Sequence, residues 1–181
     1  EIVAQIWLIK KMNAIPYERR VNVVYMGMGE PLLNYEHTKM AIKLMLQQDR
    51  LSLGRRHVTI STCWIIPGIE QLIKDQIDVK LAISLHAPNQ ELRNQIMPIG
   101  KSYPLDKLMT TIGQYVAATN NRIFYEYIMI KDLTDTPALA HELVQLLKGR
   151  LAHINLIPYN ENPAIHLQES SKPAIETFKQ I

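Results

Sequence analysis

Four short stretches of this 181-residue chain gather the residue types that bind ligands. The first is Gly27-Met28-Gly29-Glu30-Pro31. Glycine lets a ligand approach the backbone closely and adopts positive φ readily. Pro31 biases Glu30 towards an extended conformation, which holds a carboxylate beside neighbouring carbonyls. All of these are acceptors, so such a turn suits an ammonium group. The second stretch is Ser61-Thr62, the third Ser84-Leu85-His86 and the fourth Pro158-Tyr159-Asn160. Hydroxyls can hydrogen-bond a carboxylate or a ribose, and an imidazole can donate or accept. The Asn160 amide can grip an adenine or ribose edge. Each stretch also has a plainer reading: a βα turn with a surface glutamate, serines that cap helices, a structural histidine.

What is missing narrows the chemistry. There is no G-x-x-x-x-G-K-[ST] loop, which excludes a P-loop NTPase. Neither a G-x-S-x-G elbow nor an H-E-x-x-H pair occurs. No paired carboxylates stand at one strand end, so glycosidase chemistry has no support. Cys63 is the sole cysteine; alone it makes neither a disulfide nor a zinc or iron–sulfur site. It is expected as a small buried residue in a cytoplasmic protein. No apolar run reaches the ~18 residues that span a bilayer. The formal charge of +3 is compatible with RNA but does not by itself predict it.

The elements that must position these stretches alternate along the chain. Strand-like runs occupy residues 22–28, 57–62, 79–85, 122–130 and 153–157. Helical patterns occupy 35–48, 67–74, 104–118, 137–147 and 170–181, the last with Ser170 or Ser171 as cap and Pro173 in its first turn. Ile2, Ile6 and Ile9 mark a further helix at the start. A helix followed by five strand–helix units implies a parallel α/β sheet, and the short apolar strands suggest burial on both faces. Five units are too few to close an eight-stranded barrel, leaving an open, partial barrel or a doubly wound sheet. The four polar stretches then all fall at carboxyl ends of strands, where such folds bind ligands. Arg19, Arg20, Arg55 and Arg56 precede strands, so they belong to the opposite face, as solvated charges or as contacts to RNA backbone on the rim.

Five ordered segments carry a family resemblance: GMGEPLLN (27–34), RRHVTIST (55–62), LAISLHAPN (81–89), RNQIMP (93–98) and INLIPYN (154–160). Together they resemble the radical S-adenosylmethionine (radical SAM) adenine-C2 methyltransferases of 23S rRNA and tRNA, the RlmN family; Cfr-type adenine-C8 methyltransferases are close relatives. The resemblance implies a partial βα barrel of radical SAM type, with about five of six βα units in residues 1–181. It implies S-adenosylmethionine and a [4Fe–4S] cluster as cofactors, the cluster held by a C-x-x-x-C-x-x-C loop expected upstream of this chain. Transfer would run through a methyl-cysteine intermediate whose cysteines also lie outside it, so no catalytic or metal-ligating residue is expected within 1–181. The N-terminal RNA-binding domain and the C-terminal cysteine segment are likewise expected elsewhere.

By the same resemblance, Gly29 and Glu30 hold the methionine part of S-adenosylmethionine. Ser61, Ser84, Leu85 and His86 line its ribose and carboxylate, and Asn160 contacts the adenosine end. The implied partners are 23S rRNA, tRNA and a reducing electron donor, for a cytoplasmic monomer without membrane attachment. A non-catalytic nucleotide-binding barrel is the alternative from another class. One position departs from the family pattern: Trp64 stands where the family usually has glycine, and a bulky indole there bears on the loop that carries Ser61.

Overall fold

The computed structural model describes residues 1–47 and 51–181. Five parallel strands form one sheet in the order β1-β2-β3-β4-β5: β1 Val23–Tyr25, β2 Val58–Thr62, β3 Lys80–Ser84, β4 Ile123–Met129 and β5 Ala152–Pro158. The helices are α1 Ile2–Met12, α2 Tyr35–Leu46, α3 Ile66–Lys74, α4 Gln90–Ile96, α5 Leu105–Thr119, α6 Pro137–Leu147 and α7 Lys172–Gln180. Strand order equals chain order, so every crossover advances in one direction and the helices gather on one face. A doubly wound sheet reverses order part-way and has helices on both faces. The fold is therefore the open, partial barrel of the two expected forms.

Alternation along each strand separates the two faces. Val58, Ile60, Leu81, Ile83, Ile123, Tyr125, Tyr127 and Met129 point to the helices and are buried. The inner face carries Thr59, Ser61, Lys80, Ser84, Phe124, Glu126, His153 and Asn155, aligned through the pairs Thr59↔Lys80, Ser84↔Glu126, Phe124↔His153 and Glu126↔Asn155. Burial on both faces, expected for every strand, does not hold at the edges. β5 is exposed at three successive positions, His153 to Asn155, and β1 is exposed at Val24. An edge strand lacks a neighbour's side chains to cover it.

Several boundaries also move. β1 is only Val23–Tyr25, because Gly27 and Gly29, the latter at φ +93°, turn the chain away. The helix expected over 35–48 ends at Leu46, and Gln48 lies outside the described residues. α4 is an element that the hydrophobic pattern does not announce; the Asn89 side chain caps it, accepting from the Leu92 N–H at 2.9 Å. Ser171 caps α7, with Pro173 in the first turn. Among the described residues, no helix is long and apolar enough to cross a membrane.

α3 packs unusually close to the turn that follows Glu30. A 3-10 helix, Pro31–Asn34, sits against it, and a Cβ added at Gly68 would stand 2.6 Å from Leu32 Cβ. Alanine at 68 improves helix propensity by about 1 kcal/mol, but it overlaps the Leu32 side chain at its Cβ and forces the two elements apart, which costs about 1–3 kcal/mol. Gly68→Ala is expected to lower stability by up to about 2 kcal/mol in urea titration; a more stable variant would refute the close packing.

Candidate functional site

Glu30 joins the tips of β1 and β2. One carboxylate oxygen accepts from the Leu32 N–H at 3.1 Å, the other from the Cys63 N–H at 2.7 Å. Glu30 itself is extended, at φ −119° and ψ 112°, as its position before Pro31 requires. Each carboxylate oxygen has two acceptor sites, so acceptor capacity remains for an incoming donor. Beside it, a Cβ at Gly27 or Gly29 would meet no atom within 4 Å. The backbone of this turn is open on its outer side.

At the tip of β2, Thr62 Oγ1 accepts from the Trp64 N–H at 3.1 Å and from the Ile65 N–H at 3.4 Å. Ser61 faces inward, half-buried, in register with Ala82. Cys63 is exposed, contrary to the expectation of a buried residue: the strand has ended, and its backbone is anchored on Glu30. Partial burial of the thiol, and then the Glu30 carboxylate, push its pKa up, against the Ser84 hydroxyl and Arg93. Trp64 is fully buried at φ +96°. Its ring lies on the Arg93 guanidinium, and its indole Nε1 has no hydrogen-bond partner.

The β3 tip is held from two sides. Leu85 N–H and His86 N–H both donate to the Glu126 carbonyl of β4, at 3.0 and 3.1 Å. Behind the loop, Arg93 Nη1 donates to the carbonyls of Leu85 and Ser84, at 3.0 and 3.4 Å. Arg93 is fully buried, with Nε and Nη2 unpartnered, and burial pulls its pKa down. His86 adopts φ +57°, and its Nδ1 accepts from the Ile128 N–H at 3.2 Å. That bond assigns the ring proton to Nε2. Burial, reinforced by Arg93, lowers the His86 pKa to about 4, so a neutral imidazole offers Nε2–H as a donor at pH 7.

Ser84, Glu126 and Asn155 form one row across the inner face. The Glu126 carboxylate is 7% exposed and accepts from Asn155 Nδ2 at 2.7 Å. Sequence reasoning overlooked both Glu126 and Asn155, as well as the role of Arg93. A signal existed for the first: a lone carboxylate inside the otherwise apolar run 122–130. Of the anticipated residues, Gly29, Glu30, Ser61 and Ser84 to His86 occupy three adjacent strand tips, tied through Glu30, Cys63 and Ser84. The Leu85 side chain belongs to the core, and both its backbone polar groups are engaged. Asn160 stands apart at the far edge, exposed, just beyond the Tyr159 N–H that donates to the Met129 carbonyl at 3.2 Å.

Residues 8–143 match the radical SAM superfamily. The chain belongs to that superfamily. Along its whole length it is 45% identical to a probable dual-specificity RNA methyltransferase RlmN of Dictyoglomus thermophilum, of which it covers 52%. It is 43% identical, over 99% of its length, to the protein of the same description from Clostridium novyi, again covering 52%. The crystal structure of a radical SAM methyltransferase from Sphaerobacter thermophilus superposes with a TM-score of 0.92 at 38% identity, covering 98% of this chain and 52% of that one. The chain thus spans about half the length of the curated relatives it matches. A domain of pyruvate-formate lyase-activating enzyme from Bacteroides vulgatus shares the fold, with a TM-score of 0.67 at 18% identity.

Radical SAM proteins use S-adenosylmethionine and a [4Fe–4S] cluster, and the residues present fit the two groups unequally. The open glycine backbone and the spare acceptor sites of Glu30 suit the ammonium of a methionine moiety. For the cluster, no group of three or more His, Cys, Asp or Glu side chains among the described residues is placed to hold a metal ion.

The lowered pKa of His86 makes stability depend on pH. The unfolded imidazole titrates near its ordinary 6.5 and the folded one at about 4, so between these values the unfolded chain binds more protons. The contribution, about 3 kcal/mol, is fully present above pH 6.5 and is lost as pH falls through 4. His86→Asn keeps an acceptor near the Nδ1 position and tolerates positive φ, but does not titrate. Denaturant titrations from pH 7 to 4 are expected to fall less steeply for this variant; parallel curves would remove His86 as the titrating group.

Proposed function

We propose that this chain is the S-adenosylmethionine-holding part of a radical SAM RNA methyltransferase that methylates C2 of an adenine in 23S rRNA and in tRNA. Residues 1–181 form a partial core barrel in this reading, with the RNA-binding domain, cluster loop and methyl-carrying cysteine in other parts of the protein. The observation that carries it is the alignment of Gly29, Glu30, Ser61, Ser84 and His86 along one carboxyl edge. This edge belongs to a radical SAM chain related throughout its length to proteins described as RNA methyltransferases.

Bound together, the cluster and S-adenosylmethionine supply the radical chemistry of methyl transfer. The chain's own residues bind and orient. Glu30 and the backbone carbonyls around Gly29 take the methionine ammonium, because carboxylate and carbonyl oxygens are acceptors. The hydroxyls of Ser61 and Ser84 donate to its carboxylate or to the ribose, and His86 adds the Nε2–H donor. Leu85 acts by fixing the loop between them. Asn160 reaches the adenosine end from the far edge. A reducing electron donor serves the cluster, and the protein is a cytoplasmic monomer.

The test is the complete gene product, reconstituted anaerobically with iron and sulfide and incubated with 23S rRNA and tRNA transcripts. Nucleoside mass spectrometry is expected to show 2-methyladenosine; 8-methyladenosine, or no methylated product, would overturn the assignment. In that protein, Glu30→Gln leaves the Leu32 or Cys63 N–H facing an amide NH2. Loss of the charge and of this pairing is expected to weaken S-adenosylmethionine at least about ten-fold, or ~1.4 kcal/mol, in equilibrium dialysis. Unchanged affinity would remove Glu30 from the site. Residues 1–181 expressed alone with iron and sulfide are expected to stay colourless; a stoichiometric, redox-active cluster would place its ligands inside this chain.

A further inference from the structure

The edge of the sheet opposite the candidate site carries a concentration of positive charge that the proposed cofactor pocket does not use. Arg55 and Arg56 lie in the 3-10 turn Arg55–His57 that leads into β2. Lys80 opens β3, and Arg122 immediately precedes β4. With Asn121 and Phe124 they line one hollow of about 130 Å³. Among the described residues a single carboxylate serves this group: Asp78 pairs with Arg55 and accepts from Asn121 Nδ2 at 2.6 Å. Among the described residues, Arg56, Lys80 and Arg122 have no carboxylate within ion-pair distance. Aromatic rings interleave with the cations. The Lys80 ammonium lies 5.8 Å from the centroid of Phe124, which tilts against the His153 imidazole at 5.3 Å.

We infer that this face is a second RNA-binding surface, which grips the phosphodiester backbone away from the reacting base. The inference rests on the RNA methyltransferase reading. Neighbouring strands lie about 4.8 Å apart, so the entries of β2, β3 and β4 set their cations in a row rather than around a point. A row of charges matches a chain of phosphates. Arginine presents a planar fork that fits phosphate oxygens, and Phe124 and His153 add ring faces on which a base can stack. Size argues against a free nucleotide: pockets that enclose small ligands are about 300–1,000 Å³, and this hollow is well below that. It suits a backbone segment passing across its mouth.

The test compares the complete gene product with its Arg56→Gln/Arg122→Gln double variant, binding an unmodified tRNA transcript over a series of salt concentrations. Lys43→Gln/Lys179→Gln, on the outer helices, is the matched charge control. Removing one cation that neutralises a phosphate reduces the slope of log affinity against log salt by about 0.7–0.9. The double variant is therefore expected to show a slope shallower by about 1.5 and roughly ten-fold weaker binding at low salt, with S-adenosylmethionine affinity and melting midpoint as in the parent. The control is expected to keep the parent slope. Unchanged affinity and slope in the double variant overturn the inference, and assign these cations to solvation or to an acidic protein surface. If such a result accompanies normal methylation by the parent, the RNA methyltransferase reading survives it. A shallower slope in a protein that methylates nothing supports the RNA-binding surface and refutes that reading instead.

Discussion

The in-register parallel ladder is the constraint from which the rest of the structure follows. Parallel strands joined in chain order bring every carboxyl end to one edge and every entry to the other. Register then decides which side chains meet. Ser84, Glu126 and Asn155 share a row because β3, β4 and β5 pair at those positions. The same alignment brings the β1 and β2 tips close enough for one carboxylate, Glu30, to accept from both loops. A slip of one residue in any strand would turn its inner face outward, placing serine and glutamate among the helices and isoleucine in the lumen. The apolar outer face therefore holds the polar inner face in place.

The sequence discloses those parts of this arrangement that hydrophobic pattern determines. Runs such as 79–85 and 122–130 are too apolar to be loops, and the Pro137 and Pro173 starts mark helix first turns. Pattern fails where one residue's backbone decides. Residues 26–28 look strand-like by composition, yet the turn at Gly27 and Gly29 ends β1 at Tyr25. It also fails for α4, whose seven residues contain only two apolar side chains, Leu92 and Ile96, too few to display a period. Asn89 signals the start of that helix through its cap, a cue that carries little weight without a repeat behind it.

For the site, residue type and strand position together find the tips, while partnerships across strands stay hidden. Nothing in the local sequence indicates that Arg93 reaches back to the Ser84 and Leu85 carbonyls. Neither does it show that the Ile128 N–H fixes the His86 tautomer. The first turns back over eight or nine residues through the β3–α4 loop and the second joins residues 42 apart, so only the folded chain creates them. Cys63 illustrates the same gap from the other side: cysteine is buried on average, but a residue just past a strand's carboxyl end takes its exposure from the edge.

Trp64 tests how firmly that edge is built. A positive φ of +96° suits glycine and strains tryptophan. Strain of this kind costs about 1–3 kcal/mol, and burial of an indole N–H without a partner adds to it. Two features offset the cost. The whole ring is removed from water, a gain of several kcal/mol for so large a side chain. The loop backbone is also fixed independently of what residue 64 carries, because Thr62 Oγ1 accepts from the next two free amides while Glu30 takes that of Cys63. The indole consequently packs inward on Arg93 rather than unwinding the β2 tip, and Ser61 keeps its register with Ala82. Tryptophan at position 64 therefore loads the Arg93 support behind Ser84 and Leu85 and leaves the strand position of Ser61 unchanged.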